Sequence, residues 1–210
     1  MVNGMERDYI KALDEYFCEQ YRDYVKLTAI EGYTMPEVIT VRSDGNIERK
    51  DSEVMRLCRQ ANKEELLKTF KRGLGDTEFT FNFRFRTFRE RMRDLRKKET
   101  FARLLPAALA RVNETTESAG EKLDLSSKVW QQIVKGRVYP EKNTVVALAL
   151  VTNLQRADFE KLMSVLGFSF SKESVRDIVC EYILQNQITN AQMRKNCLSE
   201  YHITSLPVKD

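Results

Sequence analysis

The chain has 210 residues, of which 42% are hydrophobic and 31% charged, with only 8 Gly and 4 Pro. That balance excludes disordered and collagen-like chains and leaves room for one or two domains with a buried core. No apolar run approaches the ~18 residues of a membrane span, and the opening MVNGMERDYI lacks the apolar stretch of a secretory signal, so a cytoplasmic location and no membrane partner are expected. The net charge of +4 is unevenly spread. Residues 84–98 hold eight basic side chains against Glu90 and Asp94, a segment of +6. Residues 1–83 sum to −3, residues 99–152 to +1 and residues 153–210 to zero. A run of this kind reads either as a solvated linker helix or as an electrostatic footprint for phosphate.

In chain order, residues 5–27 read as an amphipathic helix, with Ile10, Leu13, Phe17, Tyr21 and Tyr24 at three- and four-residue steps. Asp44-Gly45 is a favoured hairpin dipeptide and predicts pairing of Val38–Arg42 with Asn46–Lys50. Asp51 or Ser52 can cap a helix through Val54, Leu57, Cys58 and Ala61. Asn62 with Glu65 signals a break and restart through Leu66, Leu67 and Phe70, ended by Gly73 and Gly75. Residues 78–86 then alternate strictly, placing Phe79, Phe81, Phe83 and Phe85 on one strand face and Thr80, Asn82, Arg84 and Arg86 on the other. A lone strand cannot bury such a face, so pairing with the hairpin and a core role for the rings are expected. The basic segment 84–98 is expected to be a linker helix, dividing the chain into a region 1–98 and a helical domain 99–210.

From Thr100 the pattern is wholly helical. Helix one runs from Thr100 to about Val112, with Pro106 awkward inside it. Thr115 or Thr116 caps a short second helix through Ala119, Gly120 and Leu123, and Asp124-Leu125-Ser126 forms a turn. Ser126 caps a third helix from Ser127 to Lys135, closed by Gly136, and Pro140 opens a fourth through Val145, Leu148, Ala149 and Leu150.

At this point the chain resembles the lambda-repressor-like (XRE-type) helix-turn-helix of bacterial regulators. The residues that carry the resemblance are Thr115, Gly120, Leu123, Asp124, Leu125, Ser126, Trp130, Ile133, Gly136 and Pro140, in family spacing without a gap. Three places depart from it: Thr116 stands where Gln is frequent, Asp124 where the turn Gly is usual, and Val134 where an acidic residue is usual. The match covers about a quarter of the chain. A weaker similarity, to a module appended to varied bacterial intracellular proteins, extends over residues 100–207 through two further amphipathic helices and a last one from Met193 to Tyr201.

The third helix supports this independently. At about 100° per residue, Val129, Trp130, Ile133 and Val134 form one inward arc, with Lys128 and Lys135 opposite, Gln131 and Gln132 flanking, and Ser127 nearer the edge. Lysine meets phosphate or guanine and glutamine pairs with adenine, so this face suits a major-groove reader. The candidate DNA-binding residues are Thr116, Ser127, Lys128, Gln131, Gln132, Lys135 and Arg137. Arg89, Arg91, Arg93, Arg96, Lys97 and Lys98 form a candidate basic arm.

Other chemistry finds no support. There is no phosphate-binding loop, nucleophile elbow or zinc-protease motif, and the carboxylates form no paired arrangement. His202 reads as a surface or packing residue. Cys18, Cys180 and Cys197 read as buried thiols, and with Cys58 they offer no zinc spacing. No catalytic residue, metal or cofactor is expected.

The expected fold is mainly α: an N-terminal α+β region with a short hairpin and one Phe-rich strand, then a lambda-repressor-like helical domain. The expected function is that of a double-stranded-DNA-binding transcriptional regulator, not an enzyme, with a homodimer as the resemblance allows. A protein-interaction adapter is the rival reading, and RNA binding through residues 84–98 a third.

Overall fold

A helix that is apolar on every side belongs at the centre of a fold, and one segment qualifies: every residue from 144 to 152 is buried. The computed structural model describes residues 3–22, 39–41, 47–49, 66–76, 81 and 83–203. In order these form α1 (Asn3–Gln20), β1 (Ile39–Val41), β2 (Ile47–Arg49), α2 (residues 66–73), β3 (Phe83–Phe85) and α3 (Phe88–Leu95). There follow α4 (Phe101–Ala110), α5 (Thr116–Lys122), α6 (Ser127–Val134), β4 (Val138–Pro140), α7 (Lys142–Thr152), α8 (Arg156–Leu166), α9 (Val175–Gln185) and α10 (Ala191–Glu200). The chain is thus mainly α-helical with a short hairpin.

Central α7 packs against α5, α8 and α9, and α4 contacts α5, α6 and α8. The boundaries follow local chemistry. Thr115 caps α5 in a reciprocal box with Ser118, and the Ser126 hydroxyl accepts from the Val129 amide to start α6. Gly136 ends α6 at a φ of +66°, with its amide donating to Ile133 and the Arg137 amide to Gln132, the two bonds of a Schellman cap. Asp124, in the turn between α5 and α6, also takes a left-handed φ, of +52°.

The hydrophobic core continues across residue 98. α1 lies on α9 and α10, burying Leu13, Phe17, Cys18 and Tyr21. The Phe17 ring sits 4.6 Å from Tyr201 of the tail and 5.7 Å from Phe70 of α2. The Tyr201 hydroxyl donates to Asp14 at 2.9 Å, and Lys71 pairs with Asp14 at 2.6 Å and Glu200 at 2.7 Å. Cys180 and Cys197 are buried thiols, pushed up to about 12 by desolvation, which makes them inert at neutral pH. Among the described residues no helix is long and apolar enough to cross a membrane.

The hairpin forms as expected, with Ile39 opposite Arg49 and Val41 opposite Ile47. The helices expected after Gly167 and near the C-terminus are α9 and α10. Residues 51–65, which hold two expected helix caps, lie outside the described residues, as do residues 23–27 of the first expected helix and residues 78–80 and 82 of the expected Phe-rich strand.

Four expectations require correction. The Phe-rich strand pairs with β4, not with the hairpin: Phe83 lies opposite Pro140, Arg84 opposite Tyr139 and Phe85 opposite Val138. Its rings are not uniformly core, since Phe85 is 75% exposed. Residues 84–98 are not one linker helix. The strand ends, Thr87 makes a capping box with Glu90, and only Phe88–Leu95 is helical. Pro140 closes β4 rather than opening α7, whose cap is Glu141. The first of these has a clear cause. A period-two stretch shows that a strand exists but not which distant segment supplies its hydrogen-bonding partner.

Candidate nucleic-acid interface

The face of α6 is oriented as its periodicity requires. Trp130 and Ile133 are buried and Val129 and Val134 half-buried, while Ser127, Lys128, Gln131 and Lys135 are exposed and Gln132 is half-buried. What holds α6 at this attitude is a close approach to α5. The Trp130 indole donates to the Thr116 carbonyl, and its ring lies so near Gly120 that an added Cβ there would fall 2.4 Å from Trp130 Cδ1. Thr116 itself is half-buried, its hydroxyl 3.0 Å from Glu117.

β3 and β4 then bring the basic segment to the end of α6. Because β4 follows α6 after Gly136 and Arg137, pairing with β3 draws the preceding charges alongside. The Arg86 amide donates to the Arg137 carbonyl at 3.0 Å, and Arg86 Nη1 to the Gly136 carbonyl at 3.3 Å. Arg84 and Arg86 both lie over the Tyr139 ring, at 5.6 and 5.4 Å from its centroid.

Arg86 is nearly buried, and its guanidinium pairs with Asp94 of α3 and donates to the Glu90 carbonyl at 3.4 Å. Arg84 pairs with Glu90 at 3.1 Å, and Lys97 with Asp94 at 3.3 Å. Thus α3 docks on the body through its acidic side.

The result is a groove of about 550 Å³ between α3, α4, β4 and the end of α6. Of the basic arm, Arg91, Arg93 and Lys97 line it, together with Lys135 and Arg137 of the expected DNA face. Arg89, Arg96 and Lys98 are exposed but lie outside it, as do Lys128, Gln131, Gln132, Ser127 and Thr116. The groove cations that sequence reasoning passed over are Arg84, Arg86 and Arg103. The Phe-Arg-Phe-Arg alternation was the available signal for the first two, since it sets both arginines on one strand face.

The anchoring carboxylates carry a pH dependence. Burial acts to raise the Asp94 carboxyl, but hydrogen bonds from Arg86 and Lys97 outweigh it and hold the group below the usual carboxylate range. Glu90 is also held low, first by the Thr87 amide and then by Arg84. A folded value below the unfolded one gives stability that is complete above the unfolded titration, near about 3.9, and is lost as pH falls through the folded value. The stability gap between wild type and Asp94→Asn, measured by urea denaturation, is therefore expected to be constant at neutral pH and to close below about pH 4.

In comparisons with known proteins, no family model, no curated protein and no solved structure matches the chain.

Proposed function

We propose that this protein is a cytoplasmic DNA-binding regulator, without enzymatic activity, that lays the outer face of α6 in the major groove of duplex DNA. The observation that carries this reading is that Lys135 and Arg137, at the end of that face, line one groove with Arg91, Arg93 and Lys97. A helix presenting Lys128 and Gln131 outward supplies base-edge donors and acceptors, with Lys135 at its end placed for phosphate. Cations clustered beside its C-terminal end supply the sequence-independent phosphate contacts that set register and most of the affinity. The resemblance to the lambda-repressor-like helix-turn-helix supports the same assignment of roles. So does the left-handed Asp124 at the place of that family's turn glycine.

The test is duplex binding against salt. A phosphate-driven complex weakens log-linearly with salt, with a slope of about −0.9 per phosphate contact. No duplex affinity at low salt overturns the reading. Gln131→Ala is expected to lose about 1–3 kcal/mol of discrimination at one base position while leaving the salt slope unchanged. Binding of a panel of single-base-substituted duplexes measures it, and an unaltered preference at every position removes Gln131 from base reading.

A further inference from the structure

α3 is turned the opposite way to an ordinary surface helix, which buries its apolar stripe and exposes its charges. Phe88, Met92 and Leu95 recur at i, i+4 and i+7, yet they are 68%, 48% and 65% exposed, and no residue of the helix is buried. The side turned to the body carries Glu90 and Asp94, held by Arg84 and Arg86. Phe85, just before the helix, is 75% exposed as well.

This apolar row borders the 550 Å³ groove, and Phe101, Val165 and Leu166 contribute to its lining from α4 and α8. Basic side chains outnumber acidic ones around it, eight against Glu90, Asp94 and Glu99. DNA gives the rim a use but not the walls, because phosphate gains nothing from leucine and phenylalanine.

We propose that the groove is a docking site for an acidic amphipathic helix of a partner protein. Its leucine-like side chains pack on Phe88, Met92 and Leu95, and its carboxylates meet Arg91, Arg93 and Lys97. The charge argues for this occupant over the others. A second copy would set one +6 segment against another. A bilayer surface cannot enter the groove that the row borders, whereas a single helix can. The scale fits, since α3 offers about 12 Å of length at 1.5 Å per residue, a match for a two- to three-turn segment. Because Lys135 and Arg137 belong to both surfaces, such a helix competes with DNA, and partner binding becomes a means of releasing it.

The experiment uses the full chain and a fluorescein-labelled peptide with leucine at i, i+4 and i+7 and glutamate elsewhere, read by anisotropy without DNA. Two control peptides accompany it, one of the same composition with the leucines dispersed and one with lysine replacing glutamate. The patterned acidic peptide is expected to bind about tenfold or more tightly than either control. Leu95→Asp and Met92→Asp are expected to weaken it by a similar factor with thermal unfolding unchanged, because both side chains are exposed.

Equal binding of the dispersed peptide, indifference to Leu95→Asp, or tight binding of the lysine peptide overturns the proposal. So does dimerisation in sedimentation that Leu95→Asp abolishes, or Leu95-dependent binding to phosphatidylserine vesicles in place of the peptide. Peptide binding is measured without DNA, so a protein that binds the peptide and no duplex sinks only the DNA reading.

Discussion

Replacing Trp130 with alanine is expected to cost about 3–5 kcal/mol of folding stability, the largest effect of any single truncation around α6. Its side chain is 4% exposed, and the indole closes the contact between α5 and α6. Truncation opens a cavity against Gly120 and removes the indole donor from the Thr116 carbonyl, so transfer, cavity and hydrogen-bond costs combine. The complementary change, Gly120→Ala, overfills the same contact. An added Cβ at 2.4 Å from Trp130 Cδ1 forces the ring or the helix to move, at about 1–3 kcal/mol. Urea denaturation measures both. In Trp130→Ala the Gly120→Ala substitution is expected to lose most of its cost, because its steric partner is gone. Additive costs would mean that the two residues do not share one contact.

The double substitution Lys135→Ala with Arg137→Ala is expected to flatten the salt dependence of duplex binding by about 2 in slope, close to 0.9 for each phosphate that is no longer neutralised. Affinity falls on every sequence alike, since phosphate contacts carry no base information. Arg89→Ala with Arg96→Ala removes the same charge from the same region but outside the groove, and is expected to change the slope less. Both pairs are exposed side chains, so loss of folding does not confuse the comparison. Equal slopes for the two double variants would separate the groove from DNA contact and leave only diffuse electrostatics.

Several elements were legible because their causes are local. Ser126 and Gly136 bound α6 through a cap and a left-handed closure that need only adjacent residues. The inward arc of Trp130 and Ile133 follows from 3.6-residue periodicity, and the exposure of Lys128, Gln131 and Lys135 follows with it. The pairing of β1 with β2 was expected from the Asp44-Gly45 dipeptide, which itself lies outside the described residues. The candidate site was legible in part: Arg91, Arg93, Lys97, Lys135 and Arg137 were expected, Arg84 and Arg86 were counted in the +6 segment but left out of the basic arm, and Arg103 was not singled out.

The failures are equally specific. Alternation in residues 78–86 pointed to a strand, which the described residues show at Phe83–Phe85, but assigned it to the wrong partner, because β3 meets β4 more than fifty residues later and no local rule selects that pairing. No face was assigned from the sequence to Phe88, Met92 and Leu95, although they lie at helical spacing that ordinarily marks a buried face. Here the Arg86–Asp94 and Arg84–Glu90 pairs settle the orientation of α3 instead, and the row is left outward.

By itself, then, the sequence determined most of the helices from Thr100 onward, the caps at Thr115 and Ser126, the buried and exposed faces of α6, and the concentration of charge in residues 84–98. Those depend on dihedral preference, periodicity and counting, which act over a few residues. Only the tertiary structure decided where that charge goes. β3 pairs with β4 across the core, Arg86 bonds the end of α6, and the +6 segment becomes the wall of a groove rather than a linker. Long-range strand pairing is set by the packing of both partners at once, so it is a property of the folded chain and of no segment within it.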